Sequence, residues 1–151
     1  MSDLHLYLGN DHEGLQLKQA VKQHLERQKY VVHDVGTNNT SHVDYPDYAA
    51  LVSTAVSQDA EARRGILICG TGIGMCMVAN RYTGIRAGAV WTVEMAARSR
   101  EDDNVNMLCL AGAFLDHNTA LEIVDTWLKT PFSGEERHVR RLHKVASLDK
   151  A

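Results

Sequence analysis

The sequence predicts an α/β protein built on a five-stranded parallel sheet with helices on both faces. Three observations predict it. Five short apolar or β-branched runs recur along the 151 residues, each followed by a stretch of helical periodicity. The connections between them are short, as crossover units require. A Gly-x-Gly-x-Gly turn follows the third run, where a buried strand hands over to a helix.

Leu4 to Gly9 reads as the first strand, closing on Asn10-Asp11-His12-Glu13-Gly14. Asp11 is placed to cap the next helix, whose Leu15, Ala20, Val21 and Leu25 form an apolar stripe among lysine and glutamine. Tyr30 to Val35 is a β-branched second strand ended by Gly36, and Thr37 to Val43 is a polar loop. Asp44-Tyr45-Pro46 opens a second helix, with proline tolerated in the first turn and Ala49, Val52, Ala55 and Val56 turned inward. Gly65 to Cys69 is the third strand, and the helix after Gly74 runs to about Tyr82. Arg86 to Trp91 is the fourth strand. Thr92 then caps a helix that carries Met95 and Ala96 and fades at Asp102-Asp103-Asn104. Met107 to Ala111 is the fifth strand, Asp116 caps a helix through Leu128, and a last helix follows Pro131, at about 134–148. With no repeat, linker or low-complexity segment, residues 1–151 read as a single Rossmann-like domain, a doubly wound three-layer α/β/α arrangement.

Composition is that of an ordinary globular chain, 44% hydrophobic and 23% charged. A net charge of −3 gives no support for a nucleic-acid or membrane-surface partner. The start, Met1-Ser2-Asp3-Leu4, has neither the basic region nor the apolar core of a signal peptide, and no segment approaches membrane-spanning length. Cys69, Cys76 and Cys109 are an odd set in apolar contexts, which reads as reduced thiols in a cytoplasm and not as a disulfide framework.

The run Gly65-Ile66-Leu67-Ile68-Cys69-Gly70-Thr71-Gly72-Ile73-Gly74 concentrates the chemistry. Its glycines let backbone N–H groups approach a ligand, and the helix that follows makes the turn a candidate anion site. A thiol in that position can be acidified below its free value of about 8.5 and act as a base or nucleophile. A buried structural cysteine beside a packing turn is the other reading. Ligands of parallel sheets bind beyond the carboxyl ends of the strands, where Asp11-His12, Cys69 to Gly74 and Asp102 to Asn106 are all expected. That convergence favours a functional Cys69. The loop lacks the spacing of a dinucleotide fingerprint and the Gly-Lys-Ser/Thr ending of a P-loop. The eight histidines show no metal-ligand spacing.

Ser133-Gly134-Glu135-Glu136 has the form of a capping box before the last helix. Arg137, Arg141 and Lys144 then share one helical face, with His138, Arg140 and His143 nearby. Cations in a first turn oppose the helix dipole, so a bound anion would explain them; a solvated basic face is the plainer alternative. Tyr45 is either a core-covering turn aromatic or a hydroxyl aimed at a ligand, and Asp11-His12 is either a cap with its neighbour or a polar pair at a site mouth.

Gly9-Asn10-Asp11-His12-Glu13-Gly14, Val43-Asp44-Tyr45-Pro46-Asp47-Tyr48, Ile68-Cys69-Gly70-Thr71-Gly72-Ile73-Gly74 and Arg137-His138 together resemble the ribose-5-phosphate isomerase B family, which includes the galactose-6-phosphate isomerase subunits. The resemblance covers nearly the whole chain. It implies an aldose–ketose isomerase without metal or organic cofactor, acting on a small phosphorylated sugar as a homodimer or homotetramer with shared sites. Cys69 is then the base between C1 and C2, assisted by Thr71. The N–H groups of Gly70, Gly72, Ile73 and Gly74 form the hole for the enediolate oxygen. Asp11 and Tyr45 match sugar contacts, and His12, Arg137 and Arg141 match phosphate contacts, the last helix reaching a neighbouring subunit.

One departure bears on the substrate. Many members carry His-Asn before the fifth strand for opening the furanose ring, and Asp102 and Asp103 stand at those positions here. A carboxylate titrating near 4 is a poor proton donor at neutral pH unless a like charge such as its neighbour raises it. His138 is the other candidate for ring opening. The expected reaction is ribose 5-phosphate to ribulose 5-phosphate. A tetrose 4-phosphate, which needs no such ring opening, or a hexose 6-phosphate is the alternative, and a non-catalytic phosphometabolite-binding protein stands behind both.

Overall fold

A computed structural model describes residues 4–149. Five strands, β1 (His5–Asn10), β2 (Val31–Asp34), β3 (Arg63–Cys69), β4 (Ala87–Ala89) and β5 (Met107–Ala111), form one parallel sheet in the order β2-β1-β3-β5-β4. The helices are α1 (Leu15–Arg27), α2 (Tyr45–Ser57), α3 (Ile73–Ala79), α4 (Val93–Glu101), α5 (His117–Lys129) and α6 (Glu136–Ala146). None of them is long and apolar enough to cross a membrane.

Side-chain alternation along the strands divides the interior in two. Leu6, Leu8, Ile66, Ile68, Leu108 and Leu110 face α1, α4 and α5, packing on Leu17, Val21, Ala96, Ile123 and Trp127. Leu67, Cys69, Met107 and Cys109 face the other way, onto Ala49, Val52 and Val56 of α2 and Met75 and Ala79 of α3. Helix α6 adds no residue to either core; its one buried side chain is His138.

Behind β2, the fully buried Lys18 ammonium meets both Asp34 oxygens at 2.9 and 3.0 Å, the Thr37 carbonyl at 3.0 Å and Asn38 Oδ1 at 2.7 Å. Every proton of that charge has an acceptor, which is the condition for keeping it out of water. The contacts fasten the start of the polar loop that leads to α2.

The caps at Asp11, Thr92 and Asp116 form as expected, although Asp11 caps a single 3₁₀ turn, His12–Gly14, ahead of α1. Strand β4 is three residues long, not the stretch from Arg86 to Trp91, because it lies at the sheet edge with one neighbour and carries Gly88. Helix α3 stops at Ala79, short of Tyr82. No capping box closes at α6. The N-cap is Glu135, without a side-chain bond, and Ser133 Oγ is engaged with His138 Nδ1 at 2.7 Å.

Topology also corrects the placing of Asp102 to Asn106. All five strands run the same way, so a loop entering β5 lies at the amino edge of the sheet, and the loops leaving β1 and β3 lie at the carboxyl edge.

Candidate active site

β2 lies beyond β1 on one side, and β5 and β4 lie beyond β3 on the other, so the chain reverses direction across the sheet between β1 and β3. The crevice above such a point is where doubly wound folds bind ligands. Here it is flanked by Asp11-His12-Glu13 after β1 and the glycine loop after β3.

Cys69 ends β3 and is 4% exposed. The Gly72 N–H donates to its sulfur over 3.1 Å. Gly72 has φ +75°, and an added Cβ would stand 3.1 Å from the Leu110 carbonyl, so the turn that delivers this N–H requires glycine. Thr71 Oγ1 accepts from Ile73 N–H at 3.2 Å. The Gly112 N–H donates to the Cys69 carbonyl at 2.7 Å and the Ala113 N–H to that of Gly70 at 3.0 Å, which bonds the loop after β5 to the loop after β3.

Tyr45, first residue of α2, lays its ring against Gly74, where an added Cβ would come within 2.7 Å of it. Glu13 lays its carboxylate against Gly70, an added Cβ there falling 2.3 Å from Oε2. Asp11 is buried, and desolvation pushes its carboxyl above the ordinary range, opposed by the N–H groups of Gly14 and Glu13 and by His12. His12 Nδ1 accepts from Val43 N–H at 3.2 Å and its ring stacks on His42 at 4.3 Å, leaving Nε2 as the donor. Asp11, His12, Tyr45, Cys69, Thr71 and Gly70 to Gly74 are therefore gathered at one edge of the sheet.

Asp102 and His138 meet elsewhere. Asp102 Oδ2 accepts from Arg98 Nε at 2.8 Å and pairs with Nη2 at 2.7 Å, and its Oδ1 is 3.6 Å from His138 Nε2. Arg137 pairs with Glu135 at 3.0 Å and joins them in lining a hollow of about 570 Å³. The Arg98 guanidinium holds the Asp102 carboxyl below its ordinary range, so the like charge of Asp103 does not make it a proton donor. Asp103 is exposed and lines a different groove, beside Ser99 and Leu142. Arg141 is exposed one turn beyond Arg137. The length of β5, about 13 Å from Met107 to Ala111, separates this amino-edge group from Cys69 within one chain.

On α3, Cys76 shares a hydrogen bond with Cys109 that draws its thiol down to about 7, while Cys109, fully buried, is pushed up.

The family model described as Ribose/Galactose Isomerase matches residues 6–145. The chain belongs to that family. Among ribose/galactose isomerase relatives, the ribose-5-phosphate isomerase B of Escherichia coli K12 is 36% identical over 142 residues, covering 94% of each chain. The crystal structure of ribose-5-phosphate isomerase B from Mycoplasma genitalium with bound ribulose-5-phosphate superposes with a TM-score of 0.94 at 39% identity, covering 97% of both chains. That of Thermotoga maritima gives 0.91 at 42% identity, over 96% of this chain and 99% of the other. Sequence reasoning passed over Glu13 and Arg98, and gave Ser133 to a helix cap instead of to His138. Glu13 reads locally as a helix-start acid, and only the fold puts Gly70 beneath it. Arg98 stands four residues before Asp102 on one helix, and that spacing is a signal for the pair.

Proposed function

We propose that this isomerase interconverts ribose 5-phosphate and ribulose 5-phosphate through an enediolate, with Cys69 as the base. The Gly72 N–H on the Cys69 sulfur, in a crevice shared with Asp11 and Tyr45, carries the reading. The thiolate takes the proton from C2 of the open-chain aldose, and the C2–H electrons form the C1–C2 double bond as the C1 carbonyl oxygen becomes anionic. Loop N–H groups and Thr71 stabilise that oxygen. The C2 hydroxyl proton passes to O1, and as the C2–O bond becomes a carbonyl the C1–C2 double-bond electrons take the proton back at C1, which yields the ketose. No electron leaves the sugar, so the step needs no redox cofactor. Asp11 and Tyr45 hold sugar hydroxyls, and the His12 Nε2 donor faces the phosphate.

The Asp102–His138–Arg137 group and Arg141 reach such a site from a second copy of the chain, since their own Cys69 lies at the opposite edge of the sheet. Asp102 is held ionised by Arg98, which leaves His138, with Ser133 on Nδ1, as the ring-opening acid–base. Asp103 borders the same subunit contact. A homodimer is the smallest assembly that completes both sites, and the free thiols fit a reducing cytoplasm.

A panel of ribose 5-phosphate, a tetrose 4-phosphate and a hexose 6-phosphate, followed for aldose–ketose conversion and for solvent-proton exchange at C1 and C2, tests the reading. The highest kcat/KM is expected for ribose 5-phosphate. Tight binding with no exchange for any of the three overturns it.

A further inference from the structure

We propose that Glu13 is a specificity-determining residue, its carboxylate taking a hydroxyl of the bound sugar beside Cys69 and repelling ligands that carry a carboxylate there. The inference rests on the sugar-phosphate isomerase reading and names a group that reading does not use.

Glu13 is pinned by its backbone. Its N–H donates to Asp11 Oδ1 at 3.0 Å, and its carbonyl lies 3.2 Å from the Cβ that any residue but glycine would carry at 112. From that fixed point the side chain folds back over Gly70, the residue after Cys69. A Cβ at Gly70 would fall 2.3 Å from Oε2 and 3.1 Å from Cδ, so the bare glycine leaves the space that the carboxylate fills. An acid serving only the helix dipole has no need of that contact and gains most from full hydration. Among the described residues the Glu13 carboxylate makes no hydrogen bond or ion pair, and it is exposed at the crevice.

An ionised carboxylate accepts hydrogen bonds and donates none, so at this position it recognises a hydroxyl. It also sets a negative charge next to the loop N–H groups that would otherwise welcome any anion. A neutral carbonyl–hydroxyl end is accepted, and the corresponding phosphorylated aldonate, with a carboxylate at C1, is disfavoured.

The test uses the full chain with Glu13→Gln and Glu13→Asp. Steady-state kinetics on ribose 5-phosphate is paired with calorimetric binding of 5-phosphoribonate. Glu13→Gln is expected to raise KM about tenfold without lowering kcat, since the charge that disfavours a C1 carboxylate also opposes the enediolate oxygen, and to tighten 5-phosphoribonate about tenfold, the scale of one charge-assisted hydrogen bond. Glu13→Asp, which keeps the charge, is expected to hold the aldonate affinity near wild type. Unchanged KM and unchanged aldonate affinity, with only a lower Tm or an altered monomer–dimer equilibrium, overturns the proposal and leaves Glu13 a helix-start acid or subunit contact. Failure of the underlying reading is separately visible. Wild type without turnover on any sugar phosphate removes the isomerase assignment, while the aldonate comparison still judges Glu13 by binding.

Discussion

The backbone N–H of Gly72 points at the sulfur of Cys69 from 3.1 Å, and the left-handed backbone of Gly72 is what aims it. Cys69→Ala keeps that backbone and removes the proposed proton acceptor. Its kcat is expected to fall by about a thousandfold or more, the upper range for loss of a general base. Calorimetric affinity for a phosphorylated, non-reacting analogue should stay within a few-fold of wild type. Retained turnover removes Cys69 from the mechanism.

Asp11 is a buried acid with a raised pKa, and this sets a pH signature. Below the unfolded-state value, near 4, the group is protonated in both states and costs nothing. As pH rises through that value and then through the higher folded value, the unfolded chain releases its proton first, and folding loses stability. Asp11→Asn keeps an oxygen for the Glu13 and Gly14 N–H groups and has no proton to lose. Its Tm relative to wild type is expected to be higher at pH 8 than at pH 4.5, while kcat/KM drops. A Tm difference that does not change with pH contradicts the assignment.

Lys18 offers a contrast in size. Lys18→Met takes from the largely buried Asp34 its closer cation, Lys22 remaining at 3.7 Å, and from the Thr37 carbonyl one of its two donors, Asn10 Nδ2 remaining at 3.2 Å. Breaking a buried pair in this way costs about 3–5 kcal/mol, to be read from urea denaturation at constant m-value.

If Cys69 and His138 act across two chains, then inactive Cys69→Ala and inactive His138→Ala proteins should rescue one another. After denaturation and co-refolding of an equimolar mixture, about a quarter of wild-type activity returns, because half the dimers are mixed and each holds one intact site. No rescue means that both residues serve the same chain's site.

Iodoacetamide at pH 7 should label Cys76 well before Cys109, since the thiolate is the reacting form and the shared hydrogen bond favours it on Cys76. Peptide mass mapping against time checks the order.

Strand β5 was legible to the residue because Met107 to Ala111 is buried throughout and offers no competing period. The crevice residues Asp11, Cys69 and Gly70 to Gly74 were legible because each directly follows or ends a strand, and parallel topology sends all such turns to one edge. The same rule, applied to the loop before β5, assigns Asp102 to the opposite edge. Placing it with Cys69 beyond the carboxyl ends of the strands gave the wrong end. Ser133 misled for a local reason: a serine three residues before a glutamate fits a cap, but a histidine five residues on competes for the same hydroxyl and wins. Glu13 over Gly70 is a contact between residues 57 positions apart, and no window on the sequence contains it.

The two bonds from Gly112 and Ala113 to Cys69 and Gly70 extend the ladder of β3 and β5 past the last strand residue. The floor of the crevice is thus a prolongation of the sheet, already ordered when folding ends. If the proposed site is the place of binding, a sugar phosphate taken up there carries little of the entropy loss that a closing flap would impose. A small heat-capacity change and a shallow temperature dependence of KM are what such a ledge would give.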